Sequence, residues 1–229
     1  MGLPKIPPLY AGNGTIEGLM SGLNFGSSKA TILNTPANGI GFQALNQQLR
    51  QAIETFQILQ LQLGHQNAGH LIQSSSVFYL SLGKDDYINL FFLDRHHHSS
   101  SGVVRQKHGS PSFPRILVNQ ITQAIKDLYN ANARKIICVG IGPLGCAPRS
   151  LWEAYDSSTT KVSDGDNYCV KEINDAILEY NAILSQRLYN LSLELLDAQI
   201  IFCDAYQGMM EIITRPALYG LTSRVDDPD

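Results

Sequence analysis

A chain of 229 residues, 44% hydrophobic and 16% charged, has ordinary globular composition and enough length to bury a substantial core. A formal charge of −3 and a pI near 6.0 supply no electrostatic footprint for nucleic acid or an anionic membrane surface, so no nucleic-acid partner is expected. No apolar run reaches the roughly 18 to 20 residues that span a bilayer, and Cys138, Cys146, Cys169 and Cys203 form no C-x-x-C pair, so neither a transmembrane segment nor zinc is expected.

In chain order, the opening MGLPKIPPLYAGNG lacks the apolar stretch of a secretory signal, which by itself points to the cytoplasm. Residues 1–40 are rich in Gly, Pro, Asn and Ser and read mostly as loop, with a short strand near Leu23–Phe25. Leu45, Leu49, Ile53, Phe56, Leu59 and Leu63 recur three and four apart, predicting an amphipathic helix over Phe42–Leu63 that Gly64 ends. Ser76–Leu82 (SVFYLSL) is a short apolar run with the length of a buried strand. The polar stretch from Asp94 to Ser112 follows; its adjacent histidines His96, His97 and His98 point in different directions without a supporting carboxylate pattern, and read as a solvated loop rather than a metal site.

Ile116, Leu117, Ile121, Ile125 and Leu128 mark a second helix, and Lys135–Val139 (KIICV) a second strand. From Val170 to Leu195 a single apolar stripe runs through Ile173, Ile177, Tyr180, Leu184, Leu188 and Leu191, predicting one long helix. Gln199–Cys203 reads as a third such strand, followed by a short helix around Gln207–Ile213. Strands alternating with helices predict βαβ units and a mostly parallel sheet in one domain, 1–229.

After KIICV stands Gly140-x-Gly142-x-x-Gly145, the spacing of a dinucleotide fingerprint. That fingerprint needs its third glycine in the first turn of a helix. Here Pro143 interrupts it, Pro148 disfavours helical geometry at Ala147, and no amphipathic helix is expected until beyond Trp152. The motif therefore predicts a tight loop at the carboxyl end of a strand and no nucleotide cofactor.

The stretch NARKIICVGIGPLGCAPR resembles the fourth-strand segment of plant GDSL esterase/lipases of the SGNH hydrolase family, with its PLGC-P loop. Four further stretches are similar to that family in the same order, along with the early GLPKIPPLY: GLNFGSSKATIL, FYLSLGKDDYINLFF, CVKEINDAILEYNAILSQRL and DAYQGMMEIITRPALYGLTS. The resemblance implies a three-layer α/β/α, flavodoxin-like fold and hydrolysis of carboxylic esters, with an acyl ester as substrate and no cofactor. It also implies a serine in a GDS motif on the first strand, a late Asp-x-x-His, and an oxyanion held by the serine amide, a second-block glycine amide and the asparagine of G-x-N-D.

Several of these positions differ. The resemblance places GDS before Gly2 and Asp-x-x-His after Tyr219, and neither stands there in this sequence. In Gly83-Lys84-Asp85-Asp86 the asparagine position is Asp85, a carboxylate that only accepts hydrogen bonds when ionised. Ser28 and Lys29 occupy the paired glycine positions of the second block, where a positive φ would strain them. Gly26-Ser27-Ser28-Lys29-Ala30 makes no substitute nucleophile elbow, and His65 and His70 are expected in surface or packing roles. The chain is thus expected to be an inactive or severely impaired ester hydrolase, the alternative being a non-catalytic ligand- or protein-binding remnant of the family.

In the 2-1-3-4-5 strand order the first strand is central, so its absence predicts a four-stranded remnant, weak anchoring of residues 1–40, and an incompletely covered apolar surface. Cys146 and Cys169 match family cysteines, implying a disulfide; Cys138 and Cys203 are expected as buried thiols. Asn13-Gly14-Thr15 and Asn190-Leu191-Ser192 are glycosylation sequons that matter only in a secreted protein, the usual setting of the family.

Overall fold

Seen in a computed structural model, residues 6, 15–27, 29–33, 44–92, 112–156 and 169–221 are described. The first element is a five-residue helix, α1 (Ile16–Met20), started by Thr15, whose hydroxyl accepts from the Gly18 amide at 3.3 Å. Helix α2 (Leu45–Leu63) buries Leu45, Phe56 and Leu59 of its predicted stripe, together with Ala52 and Thr55, and ends at Gly64, at φ +79°. The chain then re-enters helix in α3 (His65–His70) and a π-helical turn (Leu71–Ser75) before strand β1 (Phe78–Ser81).

After β1 come α4 (Lys84–Asp86), a π-helical turn (Tyr87–Phe92) and α5 (Phe113–Asn130), which has proline in its first turn. Strand β2 (Lys135–Val139) keeps its predicted bounds. A 3-10 turn (Leu144–Cys146) and α6 (Pro148–Asp156) follow, then the 24-residue α7 (Lys171–Glu194), β3 (Gln199–Cys203), α8 (Ala205–Thr214) and a last 3-10 turn (Pro216–Tyr219). Helix α6 corrects the expectation of no helix before Trp152. Pro148 forces Ala147 extended, at φ −67° and ψ 141°, yet proline is favoured as the first residue inside a helix because its missing N–H needs no partner there.

The three strands form one parallel sheet in the order β1-β2-β3, with Phe78 beside Ile136 and Ile136 beside Ile200. Both crossovers step in the same direction, and right-handed crossovers then place α5 and α7 on the same face. Ile136 and Cys138 of β2 are buried there against Leu117 and Ile121 of α5 and Ile177, Tyr180 and Leu184 of α7. A second cluster joins Ala52 and Phe56 of α2 to Ile72, Leu128 and Ala133, with Phe78 and Leu80 of β1 packed against it.

Side chains alternating to the other face stay open: Tyr79 and Ile201 are 66% and 54% exposed. The described residues therefore supply a helical layer and a sheet, with the sheet's second face bare. The expected fourth strand is not formed among them. Residues 22–27 carry only an isolated bridge at Asn24, in a stretch flanked by Gly22 at φ +105° and by Gly26. Cys203 is exposed rather than buried, because its side chain falls on that open face, whereas Cys138 lies on the packed one and burial pushes its thiol up to about 12. Nor are all of residues 1–40 weakly anchored: Ile32 is buried in the main core.

Candidate functional site

The carboxyl ends of parallel strands are where α/β sheets place ligands, and the turn leaving β1 is built tightly. Gly83 adopts φ +100°, and a Cβ there would lie 2.8 Å from the Tyr180 hydroxyl and 3.1 Å from Ile141 Cδ1, so both conformation and space demand glycine. The Tyr180 hydroxyl donates to the Leu82 carbonyl at 3.3 Å, fixing this turn from α7.

Asp85 and Asp86 are adjacent but differ in environment. Asp85 pairs with Lys84, Nζ to Oδ1 at 2.7 Å, and its side chain is 18% exposed. Asp86 is fully buried and accepts from the Ile32 amide at 2.8 Å and the Leu33 amide at 3.1 Å. Burial pushes its carboxyl up from the ordinary 3.8 to about 6, the two amides pull it down, and the neighbouring Asp85 charge adds a small upward push. Tyr87 donates to the Ala176 carbonyl at 3.3 Å and meets Phe113 and Tyr180 edge-on, with centroids 5.4 and 5.7 Å away.

Asp86 thus joins two blocks 54 residues apart in sequence: the G-x-N-D-like turn and the stretch containing the paired-glycine positions. Of those positions, Ser28 lies outside the described residues, and Lys29 takes φ +59°, a left-handed conformation that glycine adopts without strain. Nearby, the Ala30 amide donates to the Ser27 carbonyl at 3.2 Å.

The GPLGC loop after β2 is held by two asparagines of α7. Asn181 accepts from the Ile141 amide at 2.9 Å and donates to the Ile141 carbonyl at 2.8 Å. Asn174 accepts from the Gly145 amide at 2.8 Å, and the Val170 amide donates to the Gly145 carbonyl at 2.9 Å. The third glycine of the G-x-G-x-x-G spacing therefore has its N–H occupied inside the protein, in a 3-10 turn and not in the first turn of α6. Cys146, next in line, is joined to Cys169 in a disulfide that closes the loop back onto the start of α7.

Gly83, Asp85 and Asp86 therefore share one turn, with Lys29 on the segment that Asp86 anchors. His65 and His70 stay apart from them. Both are exposed on α3, which leads into the amino end of β1 while the Gly83–Asp86 turn leaves its carboxyl end. Among the described residues no group of His, Cys, Asp and Glu could hold a metal, and no helix is long and apolar enough to cross a membrane. His96, His97 and His98 lie outside the described residues, as do Asn13 and Gly14 of the first sequon. The sequence reading missed Asn174, Asn181 and Tyr180 as loop holders. Their signal was two asparagines seven residues apart beside the apolar stripe, where a buried polar group must find partners.

Comparison with known proteins agrees with this geometry. The family described as GDSL-like Lipase/Acylhydrolase matches residues 1–227. Among Arabidopsis thaliana proteins, the chain is similar to GDSL esterase/lipase At1g71691, with 28% identity over 97% of this chain and 54% of the relative. It is likewise similar to GDSL esterase/lipase At5g37690, at 26% identity over 96% of this chain and 57% of the relative, and to GDSL esterase/lipase 7, at 26% over 96% and 58%. The chain spans little more than half the length of these relatives. With a small parallel sheet, a glycine-built turn after β1 and a match along almost its whole length, the chain belongs to the GDSL-like Lipase/Acylhydrolase family.

Proposed function

We propose that this chain carries the oxyanion-side half of a GDSL-type carboxylic ester hydrolase site and that, as these 229 residues, it hydrolyses esters poorly or not at all. The observation that supports this is Asp85. At the position where the family resemblance places a donor for the developing oxyanion stands a carboxylate, ion-paired with Lys84 at 2.7 Å; an ionised carboxylate only accepts hydrogen bonds. A preorganised donor there is worth about 3 to 4 kcal/mol of transition-state stabilisation, and an anion in its place reverses the sign. Serine is inert without a base to take its proton, and neither described histidine lies on the turns that form the site.

The experiment is hydrolysis of a short-chain nitrophenyl ester by the 229-residue chain, alone and mixed with the portions of GDSL esterase/lipase At1g71691 that it does not match. The chain alone should give no turnover above buffer, and the mixture should turn over about a hundredfold faster with Asp85→Asn than with Asp85. Turnover by the chain alone that Ser27→Ala or Ser28→Ala abolishes overturns the proposal. A second reading, a non-catalytic ligand- or protein-binding member, draws support from the same carboxylate and from the strain at Lys29; it predicts no turnover even in the Asp85→Asn mixture. We further infer an oxidising, secretory compartment, a reading supported by the Cys146–Cys169 disulfide.

A further inference from the structure

We propose that Asn190 is an N-glycosylation site whose oligosaccharide is attached before the end of helix α7 forms. The inference rests on the secretory compartment inferred above. The co-reactant is a lipid-linked oligosaccharyl diphosphate of that compartment. The Asn190 Nδ2 bonds to the anomeric carbon of its first sugar, the bond from that carbon to the diphosphate oxygen breaks, the diphosphate leaves with the electron pair, and the amide nitrogen gives up one proton.

Asn190-Leu191-Ser192 is an acceptor sequence, a pattern that ordinarily stands in a surface loop. Here it stands near the end of α7 (Lys171–Glu194). Asn190 is exposed; its Oδ1 accepts from Gln186 Nε2 at 3.2 Å, and among the described residues its Nδ2 donates to nothing. One helical turn away, Gln186, Leu193 and Glu194 are exposed and Arg187 is half-buried, so a bulky group on Asn190 meets solvent and not the sheet. Leu193, 58% exposed, is apolar surface that the attached sugars would cover. The folded chain therefore accommodates the product without disturbing its core.

The same chain, once folded, is a poor acceptor. Successive helical residues turn by about 100°, so Asn190 and Ser192 leave α7 about 200° apart. The Ser192 hydroxyl donates to the Tyr189 carbonyl at 2.7 Å, and Leu191 between them is fully buried in the main core. Reading the acceptor pattern requires the Asn side chain and the Ser hydroxyl on one side of a turned backbone, as in an Asx turn. In α7 that means unwinding the helix and withdrawing Leu191 from the core, so transfer belongs to the chain before this end is locked. An isolated helix is marginal in water and frays at its ends, and α7 stops at Leu195 without a glycine cap or a basic residue in its last turn. Leu191 and Leu195 pack in one cluster with Ile200 of β3, which is synthesised after them. At about 5 to 20 residues per second, the stretch from Asn190 to Cys203 takes on the order of a second to add, and during that interval residues 190–192 are free to bend.

The test directs the chain, fused to a secretory signal, into the endoplasmic reticulum of plant cells, with Asn13→Gln so that one acceptor sequence remains. The expected product is heavier by one N-glycan, which peptide-N-glycosidase removes; release in heavy-oxygen water labels Asn190 in its own peptide. Asn190→Gln and Ser192→Ala abolish the added mass, and Ser192→Thr keeps it. Pulse-labelled chains carry the glycan as soon as they are complete. An unmodified Asn190, an added mass that survives Ser192→Ala, or a glycan that arrives only after the completed chain has become protease-resistant each overturns the proposal. Because acceptance precedes folding, a variant that fails to fold still reports. Free-thiol labelling of the chain made in the reducing cytosol separates this site from the compartment reading. A Cys146–Cys169 disulfide formed there removes the support for that compartment and leaves the Asn190 result standing; a disulfide-bonded lumenal chain with bare Asn190 overturns the site alone.

Discussion

Removing the charge of Asp86 should erase a defined part of the pH dependence of stability. The folded protein raises this carboxyl from 3.8 to about 6, chiefly through burial. Between those values the folded chain holds a proton that the unfolded chain has released. Stability from this group is therefore fully present below pH 4, is lost as pH rises through 6, and stays flat above. The gap of about two pH units corresponds to about 3 kcal/mol. Asp86→Asn preserves shape and one acceptor for the Ile32 and Leu33 amides but cannot titrate. Urea unfolding of both proteins, followed by far-ultraviolet circular dichroism at half-unit steps from pH 4 to 7.5, isolates the effect, because every other group cancels in the difference. The stability of the parent relative to the variant should fall by about 2 kcal/mol across pH 4 to 6.5. A difference constant with pH, or one growing in the parent's favour as pH rises, refutes the account of a carboxylate whose desolvation outweighs its two amide bonds.

The remaining expectations concern the loop after β2. Asn181→Ala leaves the Ile141 amide and carbonyl buried without partners and should cost about 2 to 4 kcal/mol in urea unfolding, against under about 1 kcal/mol for Asn190→Ala, whose side chain is exposed on the same helix. A double variant, Cys146→Ser with Cys169→Ser, opens a loop of sequence separation 23 and should lose about 3 kcal/mol relative to the oxidised parent. A loss below about 0.5 kcal/mol would mean that Asn174 and the Val170–Gly145 bond already hold the loop without the disulfide.

How much of this was readable beforehand follows from which signals repeat. The strands at 78–81, 135–139 and 199–203 and the helix over 171–194 were legible because each is a run or stripe of apolar residues with turn signals at its ends. Helix α1 was not, since five residues with nothing buried leave no stripe and rest on the Thr15 cap alone. The start of α6 was misread because proline was weighed as a helix breaker, whereas at the first helical position it is a helix starter. Cys203 was misplaced because a short apolar strand gives no sign of which of its faces is covered. For the site, Gly83, Asp85 and Asp86 were found through one motif, yet the opposite fates of the two carboxylates depend on Ile32 and Leu33, more than fifty residues away. Long-range partners of that kind leave no local pattern.

The three connections converge on one helix. Tyr180 holds the carbonyl of Leu82 at the exit of β1, Asn181 holds both backbone groups of Ile141 at the exit of β2, and Asn174 holds Gly145 one loop further on. Tyr180 and Asn181 are consecutive, so they leave the helix about 100° apart and reach different strands; Asn174 lies seven residues back, about two turns, on nearly the same line as Asn181. Because α7 spans 24 residues and its stripe is buried through Leu184, Leu188 and Leu191, it offers these turns a firmly packed attachment. The Gly83 turn would therefore keep its geometry only while α7 keeps its register against the sheet. This explains why glycine is demanded at Gly83, Gly140 and Gly145: the Tyr180 hydroxyl and the side-chain oxygens of Asn181 and Asn174 stand 2.8, 2.9 and 2.7 Å from where their Cβ atoms would be. The glycines let the backbone approach the helix, and the helix in turn supplies the hydrogen bonds that a bare glycine turn lacks.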